Sequence, residues 1–474
     1  MHPIYCIARR DLVDNWRRLL WCTVALCVLL TVSLAFGWRN YETRSAQRSA
    51  IQASERARWL AQRERSPNVA ANHGVFVIRP VPLLSTLEPG VDSFLGIATH
   101  AQEHQHFFVW KPAEDEFVAH RFGEFSVASV FQFVVPLLII ILLYSAFTRD
   151  RETGILRLTM SVGVKRWHYV LGKLLGNLAP VLVLVPVFIA MTIALRVMAG
   201  EVAFAGEAPA LAWMGLSYLL LGAAFTALSL GISATATTSR ASLLSLLLCW
   251  CLTCFIVPHL AIALEARLSP TPTAADVLQV INDAEASEPN AADEFRDIVR
   301  ELTQKYHVAD LAHLPLHPTG IRRSRQAIRQ EPISTAAYGL AYNSYLSHDR
   351  LMQWISAASP NLAVQNISSS LAGVGPDTFV DLAHAVETYR YALNETMNRD
   401  IAEHANPLIP GGKLADEFHR GIEVWSQVPA FAFSPAGVKM TILRQQVAWL
   451  MLTLWCALAI AFAGFRISRM GVDA

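Results

Sequence analysis

Residues 147–176 read FTRDRETGILRLTMSVGVKRWHYVLGKLLG, a short basic stretch between two apolar runs long enough to cross a bilayer. Arg149, Arg151, Arg157, Lys165, Arg166 and Lys173 crowd into it. Short loops rich in Lys and Arg stay on the cytoplasmic side, because these side chains resist translocation. Ile155, Leu156 and Leu158 sit between the charges, and Glu152 and Gly154 flank the start of the run. This composition predicts a short amphipathic helix at the membrane surface with an apolar side open to a partner, a solvated turn being the plainer alternative.

Working outward, the 474-residue chain is 53% hydrophobic and only 16% charged, more apolar than an average soluble protein. Six apolar runs, at 19–37, 126–147, 174–198, 210–233, 241–264 and 446–465, reach or approach the ~20 residues that cross ~30 Å of hydrocarbon. The first is too long for a signal-peptide core and no A-x-A site follows it, so it reads as an uncleaved span. An even number of spans places both termini on one side. The amino-terminal arginines, the 148–173 loop, Arg240, Arg466 and Arg469 then all face the cytoplasm, whereas Glu201 and Glu207 mark an outside loop without Lys or Arg. Lys439 and Arg444 run against this pattern but follow a long segment, where the charge rule is weak.

Residues 1–18 place Ile4, Ala8, Leu12 and Trp16 opposite Arg9, Arg10, Arg17 and Arg18, as an interfacial helix would. Two long segments, 38–125 and 265–445, fall outside, and 466–474 forms a cytoplasmic tail. The first opens with a polar helix-forming run able to continue the first span as a stalk, then carries short β-like pieces; 274–305 and 377–404 of the second have helical composition. The stretch 359–375, SPNLAVQNISSSLAGVG, places Leu362, Val364, Ile367 and Leu371 near helical spacing, suiting a helix resting on the bilayer or ordinary core packing. The expected fold is therefore mainly α: a polytopic membrane protein with six transmembrane helices and a large, mostly helical α+β extracytoplasmic domain.

A net charge of +1 gives no reason to expect a nucleic-acid partner. Gly172-Lys173 and Gly412-Lys413 are each followed by Leu, so no P-loop cradles a nucleotide, and no H-E-x-x-H or G-x-S-x-G set is present. No catalytic residue is expected. None of the seven cysteines lies in the outside segments, which excludes a disulfide framework there. Histidines 100, 104, 106 and 120, and the pair His313 and His317, could be read as metal ligands, but with 15 histidines in the chain chance clustering is the simpler account and no metal is expected. Within the spans Gln132, Asn177 and His259 are candidates either for helix packing or for lining a pathway, and Arg196 for reaching the headgroups.

The run Glu152-x-Gly154-x-Leu156-Arg157, after an apolar span and before Gly172-Lys173, resembles the second intracellular segment of ABC-2-type transporter permeases, with Ile155 where that pattern has Thr. HGVFVIRP, RFGEFSVASVFQFVVPLL and SPNLAVQNISSSLAG extend the resemblance to a subgroup with a large split outside domain and a carboxy-terminal region of unassigned function. The resemblance implies a permease of a bacterial cytoplasmic (inner) membrane exporter, paired with a second identical or related chain. A coupling helix would dock, through Arg151, Glu152, Gly154, Leu156 and Arg157, on separate ATPase subunits that carry ATP and Mg; this chain itself would hold no cofactor. Two other readings stay open: a mechanotransmission protein that works its outside domain without a channel, and a membrane-anchored sensor or assembly factor.

Overall fold

The computed structural model describes residues 3–91, 97–102, 108–110, 125–177, 179–268 and 272–469. Helix α1 (Pro3–Leu60) is followed by α2 (Pro67–His73) and the strands β1 (Val75–Ile78), β2 (Ala98–Ala101) and β3 (Phe108–Trp110). After α3 (Val127–Glu152) come the short α4 (Ile155–Ser161), then α5 (Trp167–Ala199), α6 (Phe204–Thr235) and α7 (Ser239–Leu264). The longer helices of the rest are α8 (Ala274–Ala286), α9 (Ala291–Tyr306), α10 (Pro318–Ile355), α11 (Pro360–Leu371), α12 (Pro376–His404) and α13 (Gln446–Ser468). Six of these, α1, α3, α5, α6, α7 and α13, are long and apolar enough to cross a membrane.

Residues 3–18, read from sequence as an interfacial helix, are continuous with the first span and with the polar run beyond it. Nothing after Pro3 interrupts the hydrogen-bond ladder of α1, and its Ala, Arg, Gln and Glu content favours helix throughout. The expectation of an α+β body is met only in part. Among the described residues the strands form one small antiparallel sheet of order β1-β2-β3, and the regular structure of the body is otherwise helical. The β-like pieces are short, whereas the helix-forming runs are long and rich in Ala, Glu and Arg.

α3 and α6 are mostly buried within the bundle; the apolar windows of α1, α5 and α7 are mostly exposed, as helices facing lipid tails would be. Leu30 and Leu34 of α1, Phe131 and Ile140 of α3, Leu221 and Phe225 of α6 belong to one core with Ala363, Val364 and Ile367 of α11. The stretch that could have rested on the bilayer is thus core packing, with Pro360–Val364, Ile367, Ser368, Ser370 and Leu371 all buried.

Two π-turns link the spans to each other and to α11. Val130–Val134 in α3 and Leu252–Ile256 in α7 widen their helices and take carbonyls out of the regular ladder. The Phe133 carbonyl accepts from Trp250 Nε1 at 3.1 Å, and that of Thr253 accepts from the Ser359 hydroxyl, which also caps α11 by accepting from Leu362 N at 3.2 Å. A second core joins α1 to the body: Trp59 packs edge-on against Trp425 and donates to its carbonyl at 2.9 Å.

His317 is fully buried and starts α10. Its Nδ1 accepts from Thr319 N at 3.1 Å and its Nε2 donates to the Ile409 carbonyl at 2.9 Å, a pairing that requires the neutral ring. Burial pushes its pKa down from the ordinary value, so the unfolded chain binds the extra proton first and stability should fall as pH drops below about 6.5. His317→Ala should cost about 2 kcal/mol, from the lost cap and the orphaned carbonyl, and should abolish that part of the pH dependence in unfolding curves at pH 7.5 and 5.5.

Candidate functional site

The loop between the second and third spans is built on one left-handed residue. Gly154, at φ 71°, turns the chain between the end of α3 and α4. This conformation costs a residue with a Cβ about 1 kcal/mol or more, which is the local reason for glycine here. Just before it, Arg151 Nη2 donates to the Ala234 carbonyl at 3.0 Å and Nη1 to that of Ala236. Glu152 accepts from Ser239 N at 2.6 Å and from the Ser239 hydroxyl at 2.8 Å, adding a carboxylate to the amino-terminal end of α7. The loop is thereby fastened to the turn joining α6 and α7.

On α4 Leu156 is 3% exposed and belongs to the main core, while Arg157, Leu158 and, capping the helix, Val162 face outward, the last two 65% and 75% exposed. The five residues expected at a docking surface therefore divide. Arg151 and Glu152 hold the α6–α7 turn, Gly154 makes the bend, Leu156 anchors the helix inward, and Arg157 is exposed without any such contact to the spans among the described residues, while Glu152 and Gly154 are exposed but structurally engaged. Leu158 and Val162 present the apolar outer face, which the position of Leu156 in the periodicity left ambiguous.

Behind α4 lies a buried ionic cluster. Arg10 Nη2 is 2.8 Å from both carboxylate oxygens of Asp150, and Tyr169 donates to Asp150 Oδ2 at 2.7 Å. Lys173 Nζ lies 2.7 Å from Asp150 Oδ2 and 3.0 Å from Asp11, and donates to the Ala146 carbonyl at 2.8 Å. Asn177 completes the set by donating to Asp11 Oδ2 at 3.2 Å. Asp11, Asp150, Lys173, Tyr169 and Asn177 are all buried. Two cations and two carboxylates thus tie the start of α1, the end of α3 and the start of α5 into one unit.

Close helix contact makes this possible. A Cβ at Gly172 would lie 2.7 Å from Ile7 Cβ, and one at Gly176 would lie 2.9 Å from the Ala8 carbonyl oxygen. The Gly172-x-x-x-Gly176 spacing was a legible signal for such a contact. Sequence reasoning missed Asp11 and Asp150 and counted Arg10 and Lys173 as solvated charges. The available clue was Lys173 lying between those glycines, flanked by Leu171, Leu174 and Leu175.

The three span residues considered for a pathway lie in separate places. Asn177 belongs to the ionic cluster. Gln132, in the π-turn of α3, donates to Glu88 Oε2 at 2.9 Å and to the Ser368 hydroxyl at 3.1 Å. His259 is exposed on α7, its Nδ1 2.7 Å from the Phe255 carbonyl. Glu88 accepts a further bond from the Ser368 hydroxyl at 2.7 Å, and burial pushes its carboxyl above the usual range. Of the histidines, His100 stacks on Phe76 at 4.2 Å and His313 pairs with Asp310, while His104, His106 and His120 lie outside the described residues. Among the described residues no three His, Cys, Asp or Glu side chains converge as a metal site would require.

The profile of the ABC-2 family transporter protein matches residues 5–472, nearly the whole chain. No curated protein matches it. Six helices of membrane-crossing character among the described residues, no nucleotide-binding motif of its own, and a family match over nearly the whole chain carry one conclusion: the chain belongs to the ABC-2 transporter family, as a multi-pass membrane permease component of an ABC transporter whose ATPase resides in a partner subunit.

Proposed function

We propose that this permease couples ATP hydrolysis on a separate cytoplasmic ATPase, which carries the ATP and Mg, to export from a bacterial cytoplasmic membrane. The observation that carries the reading is the outer face of α4, where Leu158 and Val162 stand exposed beside Arg157 on a helix that follows the end of α3, itself fastened to α7 by Glu152 and to the α6–α7 turn by Arg151. A push on α4 would be transmitted through that fastening and through the ionic cluster to α1, α3 and α5. The basic loop faces the cytoplasm together with both termini, and the body formed by 38–125 and 265–445 lies outside. A second permease chain, identical or related, completes the assembly.

Leu158→Asp should reduce stimulation of the co-purified ATPase by roughly tenfold, the loss of about 1.4 kcal/mol of docking energy, while leaving the unfolding midpoint within about 0.5 kcal/mol of wild type. Unchanged stimulation and co-purification would rule out docking through α4. A second reading has its own support, since α11 of the body meets both π-turns, through Ser368 with Gln132 and through Ser359 with the Thr253 carbonyl. In that reading the ATPase moves the body and nothing crosses the membrane through this chain. Body motion on ATP addition, seen by paired spin labels in vesicles that transport nothing, would favour it.

A further inference from the structure

A cavity of about 560 Å³ opens in the body between the upper part of α1, the end of β1 and the extended segment 430–433. One wall is cationic, formed by Arg48, Arg56 and Arg79, and among the described residues lining the cavity none is acidic. The lining also includes the apolar side chains of Ile78, Phe431 and Phe433. The volume lies in the range of small-molecule sites, roughly 300–1,000 Å³.

The site is preformed. Phe431 is fixed edge-on against Tyr389, ring centroids 5.6 Å apart. Ile78 N donates to Gln52 Oε1 at 2.9 Å, which ties the end of β1 to α1. Arg79 is 1% exposed, held by donation to the Gly373 carbonyl. Arg56 Nη1 is buried and has no hydrogen-bond partner among the described residues, a donor awaiting an acceptor. At 1.5 Å per residue, Arg48 and Arg56 stand roughly 15–30 Å along α1 past the apolar run that ends at Gly37, beyond the hydrocarbon layer.

We propose that this cavity binds an amphipathic organic anion, its carboxylate or phosphate head among Arg48, Arg56 and Arg79 and its acyl or aryl tail against Phe431, Phe433 and Ile78. Clustered guanidinium groups suit an oxyanion head, and the aromatic wall suits a tail displaced from water. The site is independent of ATPase docking, so binding persists in the chain purified alone.

The test uses the full-length chain in phosphatidylcholine nanodiscs, photolabelled with a diazirine-bearing decanoic acid and mapped by peptide analysis. Labelling is expected within 45–56 and 430–433. Decanoate and decyl phosphate should displace it, and decanol and inorganic phosphate should do so at least about tenfold less well, as expected for loss of a charge-assisted contact or of the apolar tail. Because Arg79 is fully buried, the partly exposed Arg56 carries the mutational arm: Arg56→Gln should weaken displacement by decanoate about tenfold with an unchanged unfolding midpoint. Reduced labelling when phosphatidylglycerol is added would assign the anion to the bilayer, and unchanged labelling would assign it to a free amphiphile. Equal displacement by decanol would overturn recognition of the anion, and equal displacement by inorganic phosphate would overturn recognition of the tail. Labelling elsewhere, or an Arg56→Gln variant indistinguishable from wild type, would overturn the site.

Discussion

Lys173→Met should destabilise the protein by about 3–5 kcal/mol, the usual cost of removing one partner from a buried ion pair. Lys173 is 3% exposed, and its ammonium sits between Asp150 at 2.7 Å and Asp11 at 3.0 Å. Without it two buried carboxylates share a single cation, Arg10, whose side chain is about one-third exposed and weaker for it. The Met side chain fills the volume, so the loss isolates charge from packing. Adding Asp11→Asn to Lys173→Met should recover part of the stability, since one uncompensated charge is gone. Denaturant unfolding of the single and double variants in the same detergent checks this. A single variant within about 0.5 kcal/mol of wild type would mean that the cluster holds nothing together.

The second large effect is expected at Gly37. A Cβ there would sit 2.1 Å from the Thr86 carbonyl oxygen and 3.1 Å from its carbon, both backbone atoms with no freedom to swing away. Thr86 ends the turn Leu83–Thr86, its hydroxyl donates to the Leu83 carbonyl at 2.6 Å, and Leu84 and Leu87 beside it are buried in the main core. Gly37→Ala therefore has to displace α1 or this turn, and a cost of about 3 kcal/mol or more follows from overpacking. Gly464→Ala is the control: a Cβ there meets nothing within 4 Å, and the gain in helix propensity should stabilise by up to about 1 kcal/mol. Thermal unfolding of the two variants side by side should move in opposite directions.

Much of the architecture is visible in local composition. Twenty-residue apolar runs declare helices in lipid because a helix satisfies every backbone hydrogen bond within one segment, and the described residues show six of them. The bend at Gly154 and the short helix after it are likewise local. What composition cannot convey is which face of that helix turns inward: Leu156 and Leu158 are equally apolar, and only the packing against the spans separates them. The ionic cluster was harder still. Its members come from positions 10, 11, 150, 169, 173 and 177; only Asn177 stood out as a polar residue inside a span, and nothing local joins it to the others until the helices are brought together. Glu88 and Ser368, 280 residues apart, meet for the same reason. The π-turns left no mark in hydropathy, because one extra residue in a helical turn does not change which residues are greasy.

Because α1 is one uninterrupted helix of 58 residues, it is a rod of about 87 Å that carries the ionic cluster at one end and Trp59 at the other. It is pinched at Gly37 against Thr86, nearer the Trp59 end. A rod held there behaves as a lever on a fulcrum. A tilt of about 5° would swing the cluster end by ~4 Å and the Trp59 end by ~3 Å in the opposite sense, which follows from the rise per residue alone. The two extremities of this permease cannot be repositioned separately without bending the shaft between them.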